Sequence, residues 1–161
     1  MNTWLKFVMI KYDYNSVVKL LPKVCEWLEI MENNIISIGR DLTFDEIETA
    51  KKIGIKNYDI IRVYETSIIP TPSDTFLLGI GKQLGLITAN SNGICFRYGI
   101  FINENVIDKK AVLTHEMIHT LQYERYGSIK SFITQYLKEF IEFGYHNSNL
   151  EKEACQLSKF L

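Results

Sequence analysis

The segment Ala111-Val-Leu-Thr-His-Glu-Met-Ile-His-Thr-Leu121 constrains the fold of this chain more than any other stretch. It places His115 and His119 four residues apart, with Glu116 directly after the first histidine. Positions four apart lie on one face of an α-helix, so both imidazoles can reach the same point. The remaining side chains are apolar or uncharged, which predicts a helix buried on most sides. Because buried imidazole and carboxylate groups are costly unless something satisfies them, we predict a metal site on this helix.

The residue types in this segment suit zinc. A catalytic zinc ion binds neutral imidazole nitrogens, and it has three protein ligands and one open position for water. His115 and His119 supply two of these ligands. Glu116 lies beside the ion without being placed to ligate it, and a carboxylate there can take a proton from the water. The sequence therefore predicts Zn²⁺ as the cofactor and Glu116 as the general base.

The third ligand must come from elsewhere in the chain. No aspartate follows His119, and Arg125 stands six residues after it, where another zincin branch has a third histidine. Glu124 is half a turn away from His115 on the same helix and is expected to face the other side. The candidates downstream of His119 are five glutamates and one histidine: Glu124, Glu139, Glu142, His146, Glu151 and Glu153.

Glu116-Met-Ile-His119 also fits the Glu-x-x-His pattern of di-iron helical bundles. Those sites need a second Glu-x-x-His. The chain contains no second one, because Glu142 and His146 are four residues apart rather than three. We therefore favour a site with one metal ion.

Residues 112–121 resemble the active-site helix of the zincin metallopeptidases. The shared features are a valine three residues before the first histidine, uncharged residues between the ligands and an apolar residue two after the second. Several zincins, gluzincins among them, take the third ligand from a glutamate at the start of a later helix, in patterns close to Glu-x-x-Ala or Glu-x-Glu-Ala. The segment Asn149-Leu-Glu-Lys-Glu-Ala154 has this form. The resemblance implies Glu151 as the ligand, with Glu153 as the alternative.

Other roles remain open for the residues of this segment. Ser148-Asn-Leu-Glu151 is also a capping box, so the Glu151 carboxylate can instead cap the last helix. Cys155 stands where those families often have Asp or Asn, so a carboxylate that supports the ligands is missing or comes from elsewhere. His146 is a less favoured ligand. It or Tyr145 can donate a hydrogen bond to a developing oxyanion, and a solvated loop histidine is the simpler interpretation of His146.

Apolar periodicity and capping residues predict a mostly helical chain. Pro22 should kink the first helix or restart it. The predicted helices run from Asn15 to Met31, from the capping box Thr43-Phe-Asp-Glu46 to Gly54, from Ser73-Asp74 to Gly85, across the His115–His119 segment to Gly127, from Ser128 to Gly144, and from Leu150 to Phe160.

Two regions favour β-structure. Tyr58 to Ile69 is rich in β-branched residues and predicts a strand. Asn90-Ser-Asn-Gly93 predicts a hairpin turn with Ile94 to Ile102 as the second arm. Within that arm, Phe96 to Ile102 resembles the edge strand on which zincins bind an extended substrate, and ordinary sheet core is the alternative.

These elements predict an α+β fold. The resemblance implies a small zincin-like domain, mostly helical with a small mixed or antiparallel sheet, in which two C-terminal helices follow the active-site helix. At 161 residues the chain is long enough for a hydrophobic core, and it shows no repeat, low-complexity tract or linker. We predict one domain over residues 1–161, with an N-terminal helical part in 1–57 and the sheet and metal site in 58–161.

Composition argues against several classes of function. A net charge of −1 with scattered Lys and Arg favours neither nucleic acid nor an anionic membrane surface as a partner. Residues 1–11 are interrupted by Lys6, so no signal peptide is expected, and no apolar run approaches the length of a membrane span. Cys25, Cys95 and Cys155 are odd in number and far apart, which predicts a reducing compartment and buried thiols. We therefore expect a cytoplasmic protein.

The resemblance implies a zinc-dependent hydrolase, and more narrowly a metallopeptidase acting on a peptide or protein. In that reading zinc lies on His115, His119 and Glu151 and lowers the pKa of its water, while Glu116 passes the proton to the leaving amine. The alternative is a catalytically inactive zincin-like domain that binds a partner or holds a structural zinc. The resemblance covers roughly the C-terminal 70 residues, and the first 60 or so show none.

Overall fold

The fold is known from a computed structural model, which describes residues 15, 18–88 and 90–161. These residues form six α-helices and one three-stranded sheet, so the predicted mostly helical α+β fold is confirmed. The helices are α1 (Leu21–Ile38), α2 (Phe44–Ile53), α3 (Thr75–Gln83), α4 (Lys109–Tyr126), α5 (Ile129–Phe143) and α6 (Asn149–Leu157). Three short 3₁₀ helices lie at Tyr58–Ile60, Tyr145–Asn147 and Ser158–Phe160.

The sheet is mixed, with the strand order β1-β3-β2. Its strands are β1 (Arg62–Thr66), β2 (Gly93–Phe96) and β3 (Gly99–Asn103). β1 runs parallel to β3, and β2 runs antiparallel to it. The first four residues of β3 are buried, so both faces of the central strand are covered, and α1 and α4 both pack against it. The sheet therefore lies inside the molecule, with β1 and β2 as its edges.

The helix ends follow local chemistry closely. α2 begins with the predicted capping box of Thr43 and Glu46 and ends at Gly54, whose positive φ few other residues adopt. Asp74 caps α3, and Ser128 caps α5. Gly127 ends α4 in the same left-handed conformation as Gly54. These predicted boundaries are confirmed.

The first helix differs from its prediction. α1 begins at Leu21, with Pro22 in the first turn, where a missing N–H removes no helical hydrogen bond. The predicted restart at Pro22 is therefore confirmed, but the helix continues seven residues beyond Met31, to Ile38. It continues because Glu32 and Ile35 are buried in the core. The part of the prediction on residues 16 and 17, and the signal-peptide prediction on residues 1–11, lie outside the described residues.

The predicted hairpin at Asn90–Gly93 is wrong. The chain turns at Arg97 and Tyr98 instead, so Ile94 to Ile102 is divided between two strands, β2 and β3. The segment predicted as the substrate-binding edge, Phe96 to Ile102, belongs mainly to the central strand β3, and the edge strand next to α4 is β2. The strand predicted over Tyr58 to Ile69 is shorter in the structure. The segment begins with a 3₁₀ helix at Tyr58–Ile60, and only Arg62–Thr66 forms a strand.

A tertiary contact explains the position of this turn. Glu32 on α1 is 2% exposed, and its carboxylate accepts hydrogen bonds from Nε and Nη2 of Arg97 at 2.8 and 2.6 Å and from the backbone N–H of Tyr98 at 3.1 Å. Arg97 adopts a positive φ of 64°. Its carbonyl accepts a hydrogen bond from Oγ1 of Thr120 on α4 at 2.6 Å. The turn is therefore tied to both helices that cover the sheet.

The three cysteines are free but are not all buried. Cys95 is buried in the core, as predicted, whereas Cys25 is half-buried and Cys155 is exposed. The prediction is wrong for Cys155 because only one side of α6 is buried. That side carries Leu150, Glu151 and Ala154, and Cys155 lies outside it. The division of the chain into one domain with two parts stays a prediction.

None of the helices among the described residues combines the length and the apolar character that a membrane crossing requires.

Loss of the Glu32 carboxylate should destabilise the protein. We expect Glu32→Ala to lower the free energy of unfolding by about 3 kcal/mol, because it leaves Arg97 and the Tyr98 N–H without their buried acceptor. Urea denaturation measures the change, and Glu26→Ala, an exposed glutamate on the same helix, is the control. Equal effects of the two substitutions would contradict the assignment of Glu32 as the anchor of the turn.

Candidate metal centre

The two histidines of α4 point at the same place. α4 is capped at its start by Asp108, whose carboxylate accepts from the N–H of Ala111, and it is buried on most sides, as the sequence predicted. His119 is 6% exposed and His115 is partly exposed. Their Nε2 atoms are 3.2 Å apart. Both imidazoles therefore present one nitrogen to a common point.

Glu151 completes this group from α6, which packs against α4. Its Oε2 lies 3.4 Å from Nε2 of His115, and its Oε1 lies 3.4 Å from Nε2 of His119. Among the described residues these three side chains form a cluster whose candidate ligand atoms all lie within 4.8 Å of one another. The three predicted ligands thus lie together.

The spacing of the cluster fits zinc. With metal–ligand bonds of about 2.05 Å, the ligand atoms around a tetrahedral ion are about 3.3 Å apart. The observed separations of 3.2, 3.4 and 3.4 Å agree with this value, although the carboxylate approaches the two histidines with different oxygens. Oε2 of Glu151 is also buried without a hydrogen-bond partner among the described residues. A buried carboxylate oxygen without a partner is costly, and a bound cation would satisfy it.

The charges in the cluster are strongly coupled. Burial would raise the pKa of Glu151, but its contacts with His115 and His119, the charge of His119 and the hydrogen bond from Tyr136 outweigh burial and hold that pKa far below its ordinary value. Burial would likewise lower the pKa of His119, but the hydrogen bond and charge of Glu151 raise it to about 9. Because zinc binds neutral imidazole, a zinc ion at this site would compete with the proton that the carboxylate favours on His119.

Gln122 orients His119. Its Nε2 donates to the carbonyl of Leu150 at 2.9 Å and to Oε2 of Glu153 at 2.9 Å, which fixes the orientation of the amide. Its Oε1 therefore accepts from Nδ1–H of His119 at 2.8 Å. With the proton on Nδ1, Nε2 of the neutral ring has its lone pair free for a metal. Sequence reasoning missed Gln122, although it lies three residues after His119 on the same helical face and that spacing pointed to it.

Tyr136 on α5 orients Glu151. Its hydroxyl donates to Oε1 at 2.5 Å, so this oxygen is engaged and Oε2 is left free. Burial keeps the pKa of Tyr136 well above the ordinary value, and the hydroxyl therefore remains a donor. The sequence carried no signal for this contact, because Tyr136 fits the ordinary apolar face of an amphipathic helix.

Glu153 lies outside the cluster. Its carboxylate is paired with Arg125, with an Nη1–Oε1 distance of 2.8 Å and a second contact through Nη2, and it also accepts from Gln122. Of the two glutamates that the sequence left open, Glu151 faces the histidines and Glu153 supports His119 through Gln122.

The cap of α6 is made by Ser148 rather than by Glu151. Oγ of Ser148 accepts from the backbone N–H of Glu151 at 3.4 Å, which is half of the predicted capping box. The other half is missing, because the N–H of Ser148 donates to the carbonyl of Gly144 at 3.1 Å. The Glu151 carboxylate is therefore available to the histidines.

The remaining ligand candidates lie elsewhere. Glu124 accepts from the backbone N–H groups of Lys56 and Asn57 at 2.9 and 3.0 Å, on the other side of α4, as expected. Glu142 and His146 are exposed. Glu139 is buried and binds Oγ of Ser148 at 2.9 Å and the N–H of Leu150 at 3.1 Å, so it holds the start of α6.

Glu116 is buried against the edge of the sheet. It is 7% exposed, and a Cβ atom on Gly93 would lie 2.8 Å from both its Cγ and its Oε1. Glycine at the start of β2 therefore lets the strand backbone approach this carboxylate. Burial raises the pKa of Glu116, and the nearby charges of His119 and His115 partly oppose that shift. Glu116 and the three cluster residues line one cavity of about 730 Å³.

Cys155 lies beside His115. Its Sγ is 3.9 Å from Nδ1 of that ring, at the position where the resemblance led us to expect Asp or Asn. The thiol is a weak hydrogen-bonding group, so His115 has a weaker support than His119 has in Gln122.

No family model, curated protein or solved structure matches the chain.

The cluster predicts which glutamate controls metal affinity. Glu151→Ala should weaken zinc binding at least about 100-fold, since it removes a ligand, whereas Glu153→Ala should weaken it by about 10-fold at most, through Gln122. Competition of each protein with a chromogenic chelator measures the affinities. A larger loss in Glu153→Ala than in Glu151→Ala would contradict the geometry.

The buried carboxylate of Glu139 should contribute to the free energy of unfolding in a pH-dependent way. Burial would raise its pKa, but hydrogen bonds from Gln135, Leu150 and Ser148 lower it overall. Its contribution is therefore present above the pKa of the unfolded state and is lost as the pH falls through the folded-state pKa. We expect Glu139→Gln to destabilise the protein by about 1–3 kcal/mol at pH 7 and by less near pH 3. Urea denaturation at both pH values tests this, and a difference that stays constant with pH would contradict it.

Proposed function

We propose that this protein is a zinc-dependent peptidase in which His115, His119 and Glu151 hold the ion and Glu116 acts as the general base. The observation that carries the proposal is the buried Oε2 of Glu151, which has no partner among the described residues and lies within 3.4 Å of a histidine nitrogen. A structural zinc site has four protein ligands, whereas a catalytic site leaves one position open. Three candidate ligands beside a cavity support the catalytic interpretation.

In this proposal some residues would hold the ion and Glu116 would transfer a proton. A bound zinc ion polarises a carbonyl and lowers the pKa of a water molecule toward neutrality. Glu116 takes the proton from the attacking water and delivers it to the leaving amine. Its burial against Gly93 keeps the carboxylate in one position beside the histidines. Gln122 and Tyr136 hold His119 and Glu151, so the ligand nitrogens and oxygens stay aligned.

The edge strand β2 is the proposed binding site for the substrate backbone. The N–H of Asn103 donates to the carbonyl of Asn92 at 2.8 Å, so residues 92 and 103 form a hydrogen-bonded pair. Because such pairs alternate along an antiparallel ladder, Gly93 and Cys95 direct their N–H and C=O groups away from β3. An extended peptide can pair with that edge and lie beside Glu116.

Tyr145 is the proposed donor to the oxyanion. It and His146 line the cavity, and its ring packs against Phe140 at a centroid distance of 5.3 Å. Burial and the charge of Glu151 raise the pKa of Tyr145, so the hydroxyl stays protonated and can donate.

Free cysteines support a reducing compartment, and a cytoplasmic location is part of the proposal.

Replacement of the proposed base should separate metal binding from catalysis. Glu116→Gln keeps the size of the side chain, so it should bind zinc within a few-fold of the wild type and reduce kcat for peptide hydrolysis by about 10²–10⁴-fold. Metal content and cleavage of fluorogenic peptides measure the two properties. Glu142→Gln, an exposed carboxylate change outside the cavity, is the control and should alter neither.

The alternative function predicts different results. A wild-type protein that binds zinc but cleaves no peptide would support a binding or structural zinc domain. A wild-type protein without affinity for zinc, or a Glu116→Gln variant with full activity, would refute the proposed function.

A further inference from the structure

The cavity beside the cluster extends well beyond the ligands. Its volume of about 730 Å³ is typical of a site that encloses a ligand group rather than a gap in packing. Much of its lining comes from α1, α3 and α5, which contribute none of the candidate ligands. The residues that define this apolar part are Val24, Trp27, Leu28, Leu77, Ile80 and Ile133.

The described part of the lining offers no partner for a charged substrate side chain. Among the described residues, the ionisable groups that face the cavity are the cluster residues, Glu116, Cys95, three tyrosines and His146 at the rim, and no Lys, Arg or Asp lines it. A charged side chain placed among Leu28, Leu77 and Ile80 would lose its hydration without compensation. The apolar part of the cavity therefore favours a large uncharged side chain.

Trp27 forms one wall of this lining. The indole is held by Phe96 in an edge-to-face contact at a centroid distance of 5.4 Å. Its Nε1 is buried and closed off from the cavity. Trp27 therefore offers a bound group the apolar part of its ring rather than a hydrogen bond.

We propose that this cavity is the specificity pocket of the site and that it selects peptides with a bulky aromatic side chain next to the bond that is cut. The apolar lining contacts the aromatic ring. Phenylalanine and tyrosine are then both preferred to alanine. This inference rests on the proposed function, since the pocket shares its cavity with His115 and Glu116.

Matched peptides test the selection. In two peptide series, one for each side of the cleaved bond, the adjacent residue is Tyr, Phe, Ala or Asp and the rest of the sequence is constant. With the zinc-loaded protein we expect kcat/KM for Phe to exceed that for Ala by about 10–100-fold in one series. We expect Asp to be the poorest substrate, because the described lining has no partner for its charge.

A substitution at Val24 assigns this preference to the pocket. Val24→Trp fills part of the pocket, and the Phe-to-Ala ratio should fall at least about 5-fold. Ile30→Trp makes the same kind of change at an exposed position on the same helix and should leave this ratio unchanged. If Val24→Trp fails to fold, as judged by thermal unfolding, Val24→Phe replaces it.

Calorimetry provides a readout that does not depend on turnover. The Glu116→Gln variant, with and without zinc, should bind the Tyr and Phe peptides about 10-fold more tightly than the Ala peptide, with a more negative heat-capacity change from apolar burial.

The outcomes separate the two proposals. Hydrolysis with equal kcat/KM for Tyr, Phe and Ala overturns the pocket and leaves the peptidase intact. Selective binding without any hydrolysis overturns the peptidase and leaves the pocket. Equal affinities for the three peptides overturn the pocket whether or not hydrolysis occurs.

Discussion

The candidate site depends on one buried carboxylate. Glu151 lies 3% exposed between two imidazoles, and one of its oxygens has no hydrogen bond among the described residues. A group of this kind is expensive to bury, and a structure that holds it must recover the cost through opposite charge, hydrogen bonds or a metal. The lowered pKa of Glu151 and the raised pKa of His119 show that the imidazoles supply part of the compensation. The proposed zinc ion supplies the rest.

The surrounding hydrogen bonds explain how this arrangement is held. Gln122 joins α4 to the start of α6, Tyr136 joins α5 to Glu151, and Glu139 joins α5 to the cap of α6. Each contact crosses between helices, so the position of the carboxylate follows from the packing of α4, α5 and α6 together. Such a buried network is stabilising when every member is satisfied. Its one unsatisfied oxygen points to the histidines, which is where a cation is proposed.

The proposed metal ligands and the proposed specificity pocket come from different parts of the chain. The proposed ligands lie on α4 and α6, whereas the apolar part of the cavity comes mainly from α1, α3 and α5. The two parts meet through the turn at Arg97, where Glu32 of α1 and Thr120 of α4 contact the same residue. This arrangement lets the preference for a substrate change through α1 while the ligand set stays the same.

Local patterns determined much of the fold from sequence alone. The caps at Thr43, Asp74 and Ser128 and the stop at Gly127 were predictable because they depend on residues within one turn. The helical spacing of His115 and His119 and the burial of their helix were predictable for the same reason. Glu151 was a candidate through its resemblance to a known pattern, but its choice over Glu153 was left open. Only tertiary packing decides that choice, because Arg125 and Gln122 engage Glu153 and leave Glu151 facing the histidines.

The position of the turn in the sheet also could not be predicted from local sequence. Asn90-Ser-Asn-Gly93 has the better turn chemistry, yet the chain reverses at Arg97 and Tyr98, because Glu32, 65 residues before Arg97, binds them there. The edge strand beside the site is therefore β2 rather than the segment before α4. By itself the sequence determined the elements and the residue types of the site, since these follow from neighbours along the chain. The turn, the edge and the shape of the cavity were decided by the tertiary structure, since they depend on contacts between residues far apart in sequence.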